Sequence, residues 1–320
     1  MRQVRRVVLI TQGLTRVVDP IVGAGHDLVA IIDAPPRIPK KKKKPSSLGA
    51  AFKSLLVFLG IRKPSLEKYC ATHSIRYMNM ATFSDAEISS FLRKNDVDIL
   101  VVYSMSSLLN EEVFSAPTYG AINLHPSYLP EYPGPNPWFW RYLNQDERGG
   151  VTVHYIDTGE DTGDILLQQH YKVQKGVKSP DLQNIAIGDV GSRLLLKAID
   201  QIDVLPRVKQ KTHLSVQRAR NIKKTEHRSF IDWKEWSIQE IWHLLRGTEL
   251  WLDAIDQPVG LYKGMRWNVQ SYSGSPILDE PLGSVFYVNR RACVVCRDGV
   301  ISLKVHFVLS IFIRNLLGSR

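Results

Sequence analysis

Asp98-Ile-Leu-Val-Val-Tyr103, followed by Gly120-Ala-Ile-Asn-Leu-His125, decides the fold. The first is a short, continuous apolar run, the pattern of a strand buried on both faces of a parallel sheet, and the second is a similar strand with a polar end. Upstream, Val7-Val-Leu-Ile and His26-Asp-Leu-Val-Ala-Ile-Ile-Asp33 read the same way, with a helix ending near Gly23 between them. Strand, helix, strand at this spacing implies a βαβ unit. Ser65 is a candidate N-cap for a helix to His73, Tyr77-Met-Asn-Met is a short strand, and Ser84 with Glu87 matches a capping box. Downstream, Gly150-Val-Thr-Val-His-Tyr-Ile156 alternates like a more exposed strand, Ile165-Leu-Leu-Gln-Gln is another, and Asp181 to Ile202 forms one long amphipathic helix. The expected class is α/β, a Rossmann-like, mostly parallel sheet.

After residue 228 the texture changes. A short helix, Ile238 to Arg246, precedes closely spaced strands at Met265, Gly283, Ala292 and Val300, with a turn at Asp298-Gly299. That reads as a small β-rich, OB-like or barrel-like domain. The expected organisation is a catalytic domain over 1–205 with an insert at 37–64, a linker over 206–228, and a C-terminal domain over 229–320.

The 320 residues carry 42 Lys+Arg and 31 Asp+Glu, a formal charge of +11. The excess is local: residues 37–68 carry ten bases and one acid, and residues 207–228 carry eight bases and one acid. Those segments are +9 and +7, so the remaining chain sums to −5. A uniformly basic nucleic-acid surface is therefore not what the charge means. The segment 37–64 combines Lys40 to Lys44 with Leu48 to Gly60, which permits a basic amphipathic helix and peripheral contact with a membrane. No apolar stretch reaches the roughly 20 residues of a membrane span, and Val7-Val-Leu-Ile is too short for a signal segment. Three cysteines provide no disulfide framework, and the Cys293-x-x-Cys296 pair lacks the second pair or histidines of a zinc site. No metal is expected, and a reducing cytoplasm is the simplest compartment.

Three polar features cluster between residues 120 and 165. Asn123 and His125 stand two apart at the end of a buried strand, so they share a face about 7 Å apart, at the carboxyl edge where open α/β sheets bind ligands. Asp157-Thr-Gly-Glu-Asp161-Thr-Gly-Asp164 can bring a carboxylate to the same mouth. Its spacing does not fit a twelve-residue calcium loop. Pro130-Glu-Tyr-Pro-Gly-Pro-Asn136-Pro-Trp-Phe-Trp140-Arg-Tyr142 adds a Pro-rich turn and an aromatic run, part of it expected in the core and part free to stack on a ring. An amide, an imidazole and a carboxylate make an acyl-transfer site. The amide stabilises an oxyanion, the imidazole takes the proton of an attacking amine, and the carboxylate supports the imidazole. Each motif is weak alone, and their joint order is far more specific.

Ile122-Asn-Leu-His-Pro-Ser-Tyr-Leu-Pro130 and Gly150-Val-Thr-Val-His-Tyr-Ile-Asp-Thr-Gly-Glu-Asp-Thr-Gly-Asp-Ile165 resemble the 10-formyltetrahydrofolate-dependent formyltransferases. That family includes the methionyl-tRNA, glycinamide ribonucleotide and sugar N-formyltransferases. The resemblance implies catalytic roles for Asn123, His125 and Asp161, and 10-formyltetrahydrofolate as co-substrate. It implies folate contacts from the backbone of Ser107 and Leu109 in Tyr103-Ser-Met-Ser-Ser-Leu-Leu109, and from Asp157, Thr158 and Glu160 opposite. Ser229-Phe-Ile-Asp-Trp233 and Ile241-Trp-His-Leu-Leu-Arg-Gly247 resemble the C-terminal domain of the tRNA and sugar enzymes.

For the acceptor, Glu131-Tyr-Pro-Gly-Pro-Asn136-Pro-Trp138 resembles the sugar enzymes, whereas the tRNA enzyme carries a basic R-W-R-G-A-A-P type of stretch there. An acid where an RNA arm would pass argues against nucleic acid. The implied reaction is formylation of a nucleotide-linked amino-dideoxysugar, with Asn136, Trp138, Trp140 and Tyr142 as substrate contacts and a homodimer as the assembly. The alternatives are the tRNA enzyme, with 37–64 as an RNA-binding insertion, and a formyltransferase for another small amine.

Overall fold

The computed structural model describes residues 3–36, 63–211, 217–258, 264–274, 279–288, 290–309 and 311–312. The expected amphipathic helix at Leu48 to Gly60 lies outside them. The described residues separate into two compact units.

The first unit comprises residues 1–137, 148–171 and 183–219. Its strands are β1 (Arg6–Thr11), β2 (Asp27–Asp33), β3 (Tyr77–Asn79), β4 (Ile99–Tyr103), β5 (Ala121–His125), β6 (Arg148–Tyr155) and β7 (Ile165–Lys172). They form one sheet in the order β3-β2-β1-β4-β5-β6-β7. Pairing is parallel from β3 to β5, and β6 runs antiparallel to β5. The apolar runs fill the centre: Val7 to Ile10, Ile99 to Val101 and Ile122 have no exposed surface. Val8, Ile10, Leu100 and Val102 meet Ile88 and Leu92 in one layer of core.

Sequence capping signals set several helix starts. In α1 (Val18–Val22) the cap lacks a side-chain bond, and the chain stops at Gly23. In α2 (Leu66–Thr72) the Ser65 hydroxyl accepts from the Lys68 N–H. In α3 (Asp85–Lys94) Ser84 and Glu87 close a complete capping box, and α4 (Glu111–Phe114) is capped by Asn110.

The long helix expected over Asp181 to Ile202 is interrupted. It consists of α6 (Ser179–Gln183), a wide π-helical segment over Asn184–Gly191, and α7 (Ser192–Asp200); α5 (Pro137–Leu143) precedes them in the chain. The Ser192 hydroxyl donates to the Ile187 carbonyl at 2.7 Å, five residues back, which suits the wider turn. Gly191 sits where a Cβ would come 2.8 Å from the Ala186 carbonyl and 3.1 Å from Leu124 of β5, so the segment packs closely behind the strand that carries Asn123 and His125.

The second unit comprises residues 138–147, 172–182 and 220–320. Two stretches before residue 205, 138–147 and 172–182, belong to this unit with the C-terminal part. Their side chains are used there: Tyr142 donates to the Val177 carbonyl at 2.8 Å, and the Gly176 N–H donates to His243 Nδ1 at 2.8 Å. His243 lies on α8 (Ile238–Thr248), which opens with a capping box of Ser237 and Glu240. The strands β8 (Met265–Ser273), β9 (Val285–Val288), β10 (Arg291–Cys296) and β11 (Gly299–Phe307) form an antiparallel sheet in the order β8-β11-β10-β9. Cys293 and Cys296 are buried free thiols on β10. No described helix is long and apolar enough to cross a membrane.

Among the described residues of 206–228, several are bonded to the first unit. Val208 exchanges two backbone hydrogen bonds with Ile165 at 2.8 and 2.9 Å, and the Ala219 N–H donates to the Pro133 carbonyl at 2.9 Å. Residues 206–211 and 217–219 are thus a strap on the first unit.

Candidate active site

The site is built on β5. Alternation places Asn123 and His125 on one face, as expected. His125 is buried, and Asn123 is half-buried. The loop between β6 and β7 folds back and carries Asp161 to both. Asp161 Oδ1 accepts from Asn123 Nδ2 at 3.3 Å, and its Oδ2 lies 3.3 Å from His125 Nδ1. The turn after β5 closes the other side: the Gly134 N–H donates to Asp161 Oδ2 at 2.8 Å, and His125 Nε2 lies 3.0 Å from the Tyr132 carbonyl.

Gly134 is required where it stands. Its φ is +96°, in the region that favours glycine, and a Cβ would come 2.7 Å from the Ala219 carbonyl. Asp161 has a φ of +56°, unusual for a residue with a side chain. Its loop is tied locally by Asp157, whose Oδ1 accepts from the Gly159 N–H and the Thr162 hydroxyl at 3.0 and 2.7 Å.

His154 joins the cluster and was not singled out by the sequence reading. It pairs with Asn123 across the β5–β6 ladder. Its Nε2 is 3.1 Å from Asn123 Nδ2 and 3.4 Å from Asp161 Oδ1, and its Nδ1 is 2.8 Å from the Tyr155 carbonyl. The usable signal lay in register: residues opposite each other on paired strands share a face.

Burial opposes the charge on Asp161, but the rings of His125 and His154 and the Gly134 N–H outweigh it and hold the carboxyl well below the usual carboxylate range. His125 meets an acceptor at each ring nitrogen, a carboxylate and a carbonyl, and only the protonated ring can donate to both. The arrangement therefore offers an imidazole, an amide and an ionised carboxylate on one face.

The other expected site residues fall in three groups. Ser107 is exposed after β4, whereas the Leu109 side chain is buried in the core. Thr158 is exposed, and Glu160 forms an ion pair with Arg218 of the strap. Asn136 is exposed and Trp138 half-buried. Trp140 and Tyr142 are buried within the second unit. The Trp140 indole N–H donates to the Arg220 carbonyl at 2.9 Å, and the Tyr142 ring lies 5.1 Å from His243. Both rings are buried, with their polar atoms bonded within the second unit. A Trp or Tyr on a short helix beside an apolar partner surface is drawn into the core by its area, with its polar atom bonded. Among the described residues no cluster of His, Cys, Asp or Glu is arranged to hold a metal ion.

A family profile described as Formyl transferase matches residues 39–199. The methionyl-tRNA formyltransferase of Clostridium tetani (strain Massachusetts / E88) is 30% identical over 231 residues, 69% of this chain and 69% of the relative. The one from Rickettsia prowazekii (strain Madrid E) is 28% identical over 247 residues, 77% of this chain and 78% of the relative. Among solved structures, HypX from Aquifex aeolicus in complex with tetrahydrofolic acid aligns with a TM-score of 0.54 at 12% identity. That alignment covers 94% of this chain but 44% of HypX, and it shows a shared fold.

Proposed function

This chain belongs to the formyl transferase family, and from that premise we propose that it transfers the formyl group of 10-formyltetrahydrofolate to a primary amine. The observation that carries the reading is the convergence of Asn123, His125 and Asp161 on one face of β5. The amine nitrogen attacks the formyl carbon, a new C–N bond forms, the bond to N10 breaks, and one amine proton ends on N10. His125, favoured in its protonated form by its two acceptors, stabilises the oxyanion through its positive charge rather than taking the amine proton. Asn123 adds an amide N–H, and Asp161 keeps the ring charged and aimed. Ser107, Leu109, Asp157, Thr158 and Glu160 hold the folate in this reading. The buried Leu109 side chain leaves the backbone of its loop as the contacting part.

For the acceptor, the similarity to methionyl-tRNA formyltransferases favours the methionyl group of charged tRNA. A nucleotide-linked amino-dideoxysugar is the second reading, and the stretch Glu131 to Trp138 favours it, with Asn136 and Trp138 as its contacts. A direct comparison separates them. Formylation of charged initiator tRNA, weakened by salt and by neutralising Lys40 to Lys44, supports the first. Formylation of a nucleotide amino sugar, insensitive to both, supports the second. Near-wild-type rates for His125→Ala and Asn123→Ala would remove the site assignment under either.

A further inference from the structure

We propose that Gln210, on the strap that follows the catalytic sheet, is a positioning residue for Asp161. The inference rests on the formyl-transfer reading above. Its Nε2 donates to the Asp161 carbonyl at 2.9 Å and to the Gly163 carbonyl at 2.8 Å. Both amide hydrogens therefore grip the backbone of the loop whose carboxylate reaches His125. The gripped residue is the one held at a φ of +56°, a conformation that residues with side chains keep only where surrounding contacts impose it.

The strap is anchored on both sides of the grip. Two residues before Gln210, Val208 is bonded to Ile165 at the start of β7. Further on, the Ala219 N–H bonds the Pro133 carbonyl, and the Ala219 carbonyl fills the space beside Gly134. Gly134 in turn donates to Asp161 Oδ2. Strap, Asp161 loop and Gly134 turn thus form a closed ring of hydrogen bonds around one carboxylate. Loss of the Gln210 amide releases the loop backbone while every group in Asn123, His125 and Asp161 remains. A small displacement of a positioned group is enough to slow a reaction substantially.

The test uses Gln210→Ala and Gln210→Glu in the full chain. We expect kcat to fall about 30-fold in Gln210→Ala, with the KM for 10-formyltetrahydrofolate within about threefold of wild type. Gln210→Glu keeps the shape and turns a donor toward two carbonyls into an acceptor. Protonation of that carboxyl restores one donor, so its rate relative to wild type rises as pH falls from 8 to 6. In the free protein, the titration midpoint of His125, read by NMR, moves to lower pH in Gln210→Ala, because a displaced carboxylate supports the imidazolium less. Rates within about twofold of wild type in both variants overturn the proposal. So does a loss confined to KM and thermal stability with the His125 midpoint unmoved. If Gln210→Ala does not fold, the pH-dependent recovery of Gln210→Glu decides alone. A wild-type chain that formylates no amine refutes the reaction reading, and the His125 midpoint still decides the role of Gln210.

Discussion

Asp161→Asn keeps the size of the side chain and removes its charge. The carboxylate is approached by Asn123 Nδ2, His125 Nδ1 and the Gly134 N–H at 3.3, 3.3 and 2.8 Å. An amide has one acceptor oxygen, so its NH2 must face at least one of these donors. For the His125 pair, unit charges 3.3 Å apart interact by about 5 kcal/mol at an effective dielectric of about 20. Loss of that support shifts His125 toward its neutral form, and kcat falls by up to about 10³- to 10⁴-fold. Single-turnover formyl transfer at saturating folate, followed at pH 7.5, measures the loss directly. The folded carboxyl is held below its ordinary value, so the stability it contributes is present above about pH 4 and disappears as pH falls through the folded value. Any stability advantage of wild type over Asp161→Asn should shrink in the same direction, read by denaturant unfolding at pH 7 and pH 3. A fall in kcat of less than tenfold would refute the charged role of His125.

Three further outcomes follow from the geometry. Burial lowers His243 to about 4, so the unfolded chain binds a proton first as pH drops below about 6.5. The second unit should lose about 3 kcal/mol between pH 6.5 and 4; His243→Gln, which can still accept from the Gly176 N–H, should flatten that slope in urea unfolding. Gly134→Ala meets both the positive φ and the Ala219 carbonyl, and should cost about 2 kcal/mol together with most of the activity, read by thermal unfolding and turnover. Trp140→Ala should destabilise the second unit by about 3–5 kcal/mol, whereas a substrate-stacking role would instead raise the acceptor KM with stability intact.

Much of the fold was legible because its signals are local. Continuous apolar runs at 7–10 and 99–102 and the largely apolar stretch at 121–124 marked the central strands, and Ser84 with Glu87 marked a helix start, since burial on both faces and capping leave traces in neighbouring residues. The Asn123–His125 pair was legible for the same reason: a two-residue period places both on one face. The break in the helix at 184–191 was not, because it depends on Gly191 packing against Leu124, a residue more than sixty positions away. Nor was the packing role of Trp140 and Tyr142, whose partners lie in segments 220–230 and 177–243.

By itself, then, the chain determined the parallel sheet, the sharing of one face by Asn123 and His125, and the concentration of positive charge in residues 37–68 and 207–228. Tertiary structure decided what that second basic segment is. Its charges suggested a solvated linker, but hydrogen bonds through Val208, Gln210 and Ala219 make part of it a strap on the catalytic loops. Those bonds run from one side-chain amide and from backbone groups to carbonyls brought near only by the fold. Backbone donors and acceptors are the same for almost every residue, so their pairing leaves no mark in the sequence.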